Sequence, residues 1–276
     1  MPLYAVRLFY LGTNYHGSQF QPGLDTVQGR LIDAVSRWEG VKHDTKSVRF
    51  SGRTDRGVHS LGQLVTVRTN TPLDIDQVNR HLPQDVTLWA YTRISESFNP
   101  RHNVLLRHYR YYLETEDTSP SLPLMRQAAQ KLVGTNNYSL LSKPDSDRTA
   151  YATLPDISLT RNGSVIIFDV YGTNFLWKQV RKIVSLLNSI GNGEIEPQRA
   201  EQVIARGWKP PGGIRPAPEE GLILMEVIVN FSFRTSRHAI NRIRKLLNHK
   251  IGFLTRTLVT MTGLTNDVSF YQYPFY

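Results

Sequence analysis

Strand-like and helix-like apolar patterns alternate along this chain of 276 residues, and this alternation restricts its fold more than any other feature. Apolar residues at every second position predict strands, whereas apolar residues three and four apart predict helices. Strands are predicted at residues 4–10, 63–69, 86–93, 105–113, 165–171 and 223–229, with a further strand ending near Phe50. Helices are predicted from Asp25 or Thr26, from Asp74, at 123–133 before Gly134, from Leu176 to Gly191, and at 197–206.

Both halves of the chain carry strands and helices in this mixed order, although they share no demonstrable sequence repeat. The order predicts an α+β protein built as two similar halves around a cleft. We divide the chain into residues 1–103, residues 104–231 and a basic extension at 232–276. Proline and glycine cluster at 209–218, which predicts a loop and no further boundary.

The charge balance favours a polyanionic partner. Lys and Arg number 33 against 23 Asp and Glu, a formal charge of +10, and each cation placed against a phosphate releases condensed counterions. In the extension, apolar residues fall at helical spacing among arginines and lysines. This pattern predicts either a basic helix lying along RNA or a surface helix with a solvated charged face, and the two interpretations are compatible.

Several classes of function are excluded. Cysteine is absent, which rules out disulfides, thiolate catalysis and Cys-based zinc or iron–sulfur sites. The 8 histidines show no ligand spacing, so we expect no metal, and no glycine-rich nucleotide motif is present. No apolar run reaches the roughly 18 residues of a membrane helix, and no signal-peptide pattern opens the chain. We therefore expect a cytoplasmic protein with no membrane partner.

The first cluster that could carry chemistry lies at residues 51–59, Ser-Gly-Arg-Thr-Asp-Arg-Gly-Val-His. Its glycines allow a tight, exposed turn between two strands. Arg53 and Arg56 flank Asp55 and favour its charged form, which suits a nucleophile or a base better than a proton donor. The alternative is a hairpin turn in which Asp55 caps backbone amides, the commoner use of an aspartate in a loop.

Two further clusters carry aromatic and basic residues. On a strand, Arg107, Tyr109 and Tyr111 share one face, which is typical either of a surface that stacks bases and grips phosphates or of aromatic cross-strand pairs. Arg181 follows Trp177 by four residues at the edge of a helical apolar stripe. An arginine placed there either extends past the core to solvent or is buried against a carboxylate.

Taken in this order, the clusters resemble the motifs of the tRNA pseudouridine synthase A family. Residues 52–59 match its Gly-Arg-Thr-Asp-x-Gly-Val-His loop, and Gln63 fits as well. Arg101 and residues 107–111 match the second motif, residues 175–184 the third, and residues 216–224 a late Ala-Pro-x-x-Gly-Leu segment. The matches run from about residue 4 to 229. The chain departs from the family at Ser18, where a tryptophan is usual, and at Gln179, where a methionine is usual.

The resemblance implies a pseudouridine synthase fold, with two α/β-sandwich halves and mainly antiparallel sheets flanking a central cleft. It also implies isomerisation of uridine to pseudouridine in tRNA, on the 3′ side of the anticodon stem–loop, by a homodimer. The isomerisation balances by itself, so no cofactor is implied.

The resemblance assigns roles to five residues. Asp55 would be the catalytic aspartate, either bonding to C1′ of the ribose or removing the C2′ proton. Tyr109 would stack on the extruded uracil and assist the last deprotonation, Arg181 would pair with Asp55, and Arg53 and Arg101 would hold phosphates or the extruded nucleotide. The alternatives are a non-catalytic RNA-binding protein of the same fold and a nuclease or glycosidase. The second is weaker because no further carboxylate stands near the motif residues in the sequence.

Overall fold

The computed structural model describes residues 1–115, 120–143 and 149–269. Within these residues the strands are β1 (Leu3–Tyr10), β2 (Val48–Phe50), β3 (His59–Arg68), β4 (Val86–Ile94), β5 (Leu106–Glu114), β6 (Gly134–Asn137), β7 (Tyr151–Leu154), β8 (Asp156–Asn162), β9 (Val165–Gly172), β10 (Leu222–Ile228) and β11 (Arg234–Thr235). The α-helices are α1 (Val27–Glu39), α2 (Ile75–Asn79), α3 (Leu122–Lys131), α4 (Gln179–Gly191), α5 (Arg199–Ile204) and α6 (Arg237–Ser269).

Nine of these strands form one sheet, in the order β11-β4-β1-β3-β10-β5-β9-β8, with β2 paired to β3. Among the described strands, every pairing in it is antiparallel except β3 with β10, where Ile223 lies opposite His59 and Leu224 opposite Ser60. The prediction of an α+β fold with a mainly antiparallel sheet is confirmed. The parallel pair joins the two halves into a continuous sheet.

Each half has its own hydrophobic core. In the first, α1 and α2 cover β1, β3 and β4, and in the second, α3, α4 and α5 cover β5, β8 and β9. The sequence signals for α1 hold: the Thr26 hydroxyl accepts a hydrogen bond from the Gly29 amide, and Gly40 ends the helix at a φ of 74°. The domain boundaries at 103 and 231 stay a prediction.

Two predicted helix boundaries were wrong, and α5 (Arg199–Ile204) is two residues shorter at each end than the predicted 197–206. We expected a helix from Leu176, but Lys178 has a φ of 63° and α4 begins at Gln179, whose side chain accepts a hydrogen bond from the Leu176 amide. Gly134 was expected to end a helix, but α3 already ends at Lys131 and Gly134, at a φ of 109°, begins β6. Strands β6, β7, β8 and β11 were not predicted; β6 and β11 are short and largely polar, without a period of two to detect.

The basic extension forms α6, whose first turns pack on the first half. Arg242 donates hydrogen bonds to the carbonyls of Asn79, Leu82 and Pro83, and Ile243 is buried. Between Ile251 and Leu264 the large apolar side chains of α6 are exposed. Residues 270–276 of the predicted extension lie outside the described residues. No helix in the part of the chain that the structure describes has the length and apolar character needed to cross a bilayer.

Candidate active site

The loop between β2 and β3 carries Asp55, and its first residues are held by the side chain of Gln63. Gln63 on β3 is fully buried. Its Oε1 accepts a hydrogen bond of 2.7 Å from the Ser51 hydroxyl, and its Nε2 donates one of 3.0 Å to the Gly52 carbonyl. A buried amide with both groups satisfied fixes the path of the loop as it leaves β2.

The middle of the loop is held by residues from the start of the chain. The Thr54 hydroxyl and the Tyr10 hydroxyl are 2.7 Å apart, and the Thr54 amide donates a 2.8 Å hydrogen bond to Ser18 Oγ. Gly12 packs so closely on the far end of the loop that a Cβ there would lie 2.1 Å from the Val58 carbonyl oxygen. Asp55 is therefore presented from a rigid turn.

Asp55 faces Arg181, which comes from the first turn of α4. The two side chains form an ion pair with 3.6 Å between Asp55 Oδ2 and Arg181 Nη1. Arg181 is 6% exposed, so it does not extend to solvent. Among the described residues the Val58 amide donates to the backbone carbonyl of Asp55, at 3.3 Å, and no backbone amide donates to its carboxylate, so the capping arrangement is absent.

Burial raises the pKa of the Asp55 carboxyl above its ordinary value, and the neighbouring Arg181, Lys178 and Trp177 only partly offset that effect. The expectation that flanking arginines set the charge of Asp55 was wrong. Arg53 and Arg56 are exposed and are not among the groups that shift its pKa. The cations that stabilise the carboxylate come from the start of α4 instead.

Glu219 is the acidic residue that the sequence analysis missed. It lies in the turn before β10, and its Oε2 accepts a 2.7 Å hydrogen bond from Arg181 Nη2. Gly57, at a φ of 82°, makes room for it, because a Cβ there would lie 2.4 Å from Glu219 Cγ. The expectation of no second carboxylate near the motif residues was therefore wrong. The signal available was the Glu-Glu pair inside the matched segment at 216–224.

Tyr109 is on β5, near enough to Asp55 for the charge of the aspartate to act on it, and it is 7% exposed. Its ring contacts that of Phe175 edge-on, with 4.9 Å between the ring centroids. Burial raises the pKa of Tyr109, and the charge of Asp55 acts in the same direction. Its phenol is therefore neutral at ordinary pH. Arg107, on the same strand face, is buried and donates hydrogen bonds to the carbonyls of Thr173, Ser51 and Arg101, so interpreting it as a phosphate-gripping side chain was wrong.

Arg53 and Arg101 are brought together at a cavity and not at the Asp55 carboxylate. Both are exposed, and both line a cavity of about 490 Å³ beside the loop, whose lining does not include Asp55. The structure thus divides the five predicted residues into two groups. Asp55, Tyr109 and Arg181 form one, and the two arginines form the other. Among the described residues, no group of three His, Asp or Glu side chains is arranged to hold a metal ion.

Comparison with known proteins tests the resemblance that the motifs indicated. A family model described as tRNA pseudouridine synthase matches residues 128–230. The chain is 36% identical over 250 residues to the tRNA pseudouridine synthase A of Methanothermobacter thermautotrophicus, with 89% of each chain covered. This chain belongs to the tRNA pseudouridine synthase A family. The resemblance recognised from the four motifs is confirmed.

Other members of the family are similar over nearly the whole chain. The tRNA pseudouridine synthase A of Methanosarcina acetivorans is 35% identical over 258 residues, covering 90% of this chain and 94% of that protein. The Archaeoglobus fulgidus protein of the same name is 30% identical over 274 residues, covering 96% and 100%. A solved structure, that of an archaeal box H/ACA sRNP Nop10-Cbf5 complex, is similar at a TM-score of 0.37 and 9% identity, over 68% of this chain and 43% of that chain.

Proposed function

We propose that this protein isomerises uridine to pseudouridine in tRNA, on the 3′ side of the anticodon stem–loop, with Asp55 as its catalytic carboxylate. Family membership supports the reaction and the class of substrate. The observation that carries the site is the pairing of Asp55, whose side chain is 26% exposed, with the buried guanidinium of Arg181. The carboxylate is held from the inside by Arg181 and remains partly open to a substrate.

The reaction breaks the bond between N1 of uracil and C1′ of the ribose and forms a bond from C5 to C1′. Loss of the base leaves an oxocarbenium-like sugar, which a carboxylate stabilises or traps. Asp55 acts either by bonding to C1′ or by removing the C2′ proton, and both routes need the anion. Arg181 supplies the charge that favours the anion against the effect of burial. The proton lost from C5 balances the one gained at N1, so no cofactor is consumed.

Tyr109 is the stacking platform in this proposal. A base inside a helix is out of reach, so the target uridine is extruded, and an aromatic ring replaces the stacking it loses. We assign Tyr109 to stacking and to assisting the last deprotonation at C5, and burial raises the pKa of its phenol. Arg53 and Arg101 hold phosphates beside the target.

The test is pseudouridine formation on a tRNA transcript. We expect Asp55→Asn to reduce the rate by more than about 1000-fold while RNA binding persists. Asp33→Asn, on the exposed side of α1, is the matched control and should act like the wild type. Full activity in Asp55→Asn would contradict the assignment. A wild-type protein that binds the transcript without forming pseudouridine would establish the non-catalytic alternative.

Glu219 gives the glycosidase alternative a specific basis, because it is a second carboxylate on the same guanidinium as Asp55. A glycosidase needs a carboxylic acid that donates a proton to the leaving group. The Glu219 oxygen that faces Arg181 accepts a hydrogen bond instead. The same transcript assay separates the two reactions, since a glycosidase releases free uracil and an isomerase releases none.

We also propose that the protein is a cytoplasmic homodimer. The absence of cysteine and a tRNA substrate support the location. The apolar stripe of α6 supports the dimer. The half-buried Leu247 and the exposed Ile251, Leu254, Leu258 and Met261 follow one another at steps of four and three residues, the spacing of a coiled-coil seam. A second copy of the chain would cover this seam. The solution mass checks the proposal, and a monomer at micromolar concentration would contradict it.

A further inference from the structure

The cavity beside the catalytic loop has the size and the lining of a binding site. Its volume of about 490 Å³ falls within the range of about 300–1,000 Å³ found for small-molecule pockets. It lies between the segment at 19–28, strand β2 and the turn at 99–102. Its lining contains three arginines, a histidine and two phenylalanines, and no aspartate or glutamate. A site with this charge selects an anion.

Two of the arginines are available to a ligand. Arg49 and Arg53 are both exposed, and within the described residues neither side chain forms an ion pair or a hydrogen bond. Most other arginines near the loop already have protein partners. Arg107 donates hydrogen bonds to backbone carbonyls, and Arg181 forms ion pairs with two carboxylates. Arginine without a partner, facing a cavity that lacks carboxylates, is suited to a phosphate.

Gln19 indicates that the ligand also carries a hydrogen-bond donor. Its Oε1 is buried and has no hydrogen-bond partner among the residues that the structure describes. This oxygen has almost no accessible surface, so a ligand donor reaches it only after the Gln19 amide turns toward the cavity. Pairing an acceptor that is otherwise buried and unpaired gains more than pairing one at an open surface. Phe20, which is 42% exposed, lines the same cavity and offers an aromatic face. Phosphate, base face and N–H donor are the three parts of a nucleotide.

The position of the cavity relative to Asp55 indicates where along the RNA the bound nucleotide lies. Arg53 precedes Asp55 by two residues, so their Cα atoms lie within about 7 Å of each other. We propose that the cavity binds one unpaired nucleotide next to the target uridine in the same RNA. Its phosphate lies on Arg49 and Arg53, its base on Phe20, and a base N–H donates to Gln19. The identity of the RNA rests on the proposed function, whereas the anion and base subsites rest on the cavity alone.

The phosphate contact is tested by the salt dependence of RNA binding, measured in Asp55→Asn protein so that the transcript is not converted. Each phosphate contact on a single strand contributes about 0.7 to the slope of log K against log salt concentration. We expect Arg49→Gln to reduce the slope by about that amount and the affinity by roughly tenfold. Lys131→Gln, on the exposed end of α3 away from the cavity, is the control and should change neither. Equal slopes in the two variants would overturn the proposal.

The base contact is tested with Gln19→Met, which keeps the length of the side chain and removes its acceptor. On intact transcript we expect kcat/KM to fall by roughly tenfold. On a transcript lacking the base at the occupied neighbouring position, the variant and the wild type should act alike. A fall that is equal with every abasic transcript, or no fall at all, would overturn the base contact. If the wild type formed no pseudouridine, the proposed function would fail, and the salt slopes would still test the cavity.

Discussion

Arg181 binds Glu219 more closely than it binds Asp55. Its Nη2 lies 2.7 Å from Glu219 Oε2, whereas its Nη1 lies 3.6 Å from Asp55 Oδ2. The cation beside the proposed catalytic carboxylate is thus shared with a second anion. Burial raises the pKa of Asp55, and the charge of Glu219 raises it further. Glu219 therefore acts on the ionisation of Asp55 both directly and through Arg181.

Replacing Glu219 by Gln should move the acidic limb of the kcat/KM profile to lower pH. The change removes a negative charge that raises the pKa of Asp55, so a larger fraction of Asp55 is ionised in mild acid. The measurement is pseudouridine formation between pH 4.5 and 7.5. Glu220→Gln, at the adjacent exposed position, is the control and should leave the limb in place. A limb that stays, or that moves to higher pH, in Glu219→Gln would contradict the coupling.

Replacing Arg181 should have the opposite effect on the same limb. Arg181→Met keeps much of the side-chain volume and leaves Asp55 without its buried cation, so its pKa rises further and the limb moves to higher pH. We expect a loss of about 100-fold or more at neutral pH. Arg181→Lys keeps the charge and should move the limb less, although it cannot reproduce the contacts to Ala217 and Glu219 together. A purely structural role for Arg181 would lower activity without moving the limb.

The elements that the sequence predicted correctly are those with a repeating apolar pattern. The buried residues of helix α1 recur at helical spacing, and those of strand β5 recur at every second position. A short stretch of sequence is therefore enough to identify each element. Strand β6, Gly-Thr-Asn-Asn, has no such pattern, because hydrogen bonding to β7 forms it and burial does not. The start of α4 was missed because Lys178 adopts a left-handed backbone conformation that lysine rarely takes.

The sequence predicted which residues form the site, but it did not predict the groups that surround the Asp55 carboxylate. The order of the motifs located Asp55, Tyr109 and Arg181, yet the residues next to Asp55 in sequence are not the ones that act on its carboxylate. Ionisation depends on burial and on groups from α4 and from the turn before β10. Neither contribution has a local signature. Glu219 meets the loop only because β10 pairs with β3 across the middle of the sheet.

A side chain at position 57 should both destabilise the fold and alter the active site. At a φ of 82°, Gly57→Ala strains the backbone, and the new Cβ would lie 2.4 Å from Glu219 Cγ. Gly40→Ala is a matched control, because Gly40 has a φ of 74° with nothing within 4 Å of the added carbon. Both should lose about 1 kcal/mol of stability from the backbone. Only Gly57→Ala should also displace Glu219 and alter the pH profile, as judged from urea unfolding and kcat/KM together. An unaltered profile in Gly57→Ala would contradict this.

Asp169 on β9 should contribute to stability at neutral pH and lose that contribution in acid. Burial alone would raise its pKa, but hydrogen bonds from Arg110, at 2.8 and 3.0 Å, and from His108 hold the pKa below its usual value. An acid whose pKa is lowered by folding stabilises the fold above its unfolded pKa of about 3.9. That contribution disappears as the pH falls through the folded value.

Asp169→Asn should therefore lower the free energy of unfolding by roughly 1.5–3 kcal/mol at pH 7. The difference from the wild type should shrink below about pH 4. Urea unfolding at pH 7 and pH 3 measures both values. Asp156→Asn, at an exposed position on the neighbouring strand β8, controls for the loss of one carboxylate. A difference that is constant across this range would show that the contribution of Asp169 does not depend on its charge.

The seam on α6 gives a prediction about assembly that is independent of the catalytic site. Leu254 and Leu258 are 60% and 67% exposed, and in a coiled coil both would face the partner helix. Leu258→Glu places a charge in that seam and should convert the dimer to a monomer. Thr260→Glu, two residues further along α6, lies outside the seam and should leave the dimer intact. Light scattering at matched concentrations measures both masses. Dimers of equal mass in the two variants would place the interface elsewhere, since an apolar contact of this kind does not tolerate an unpaired buried carboxylate.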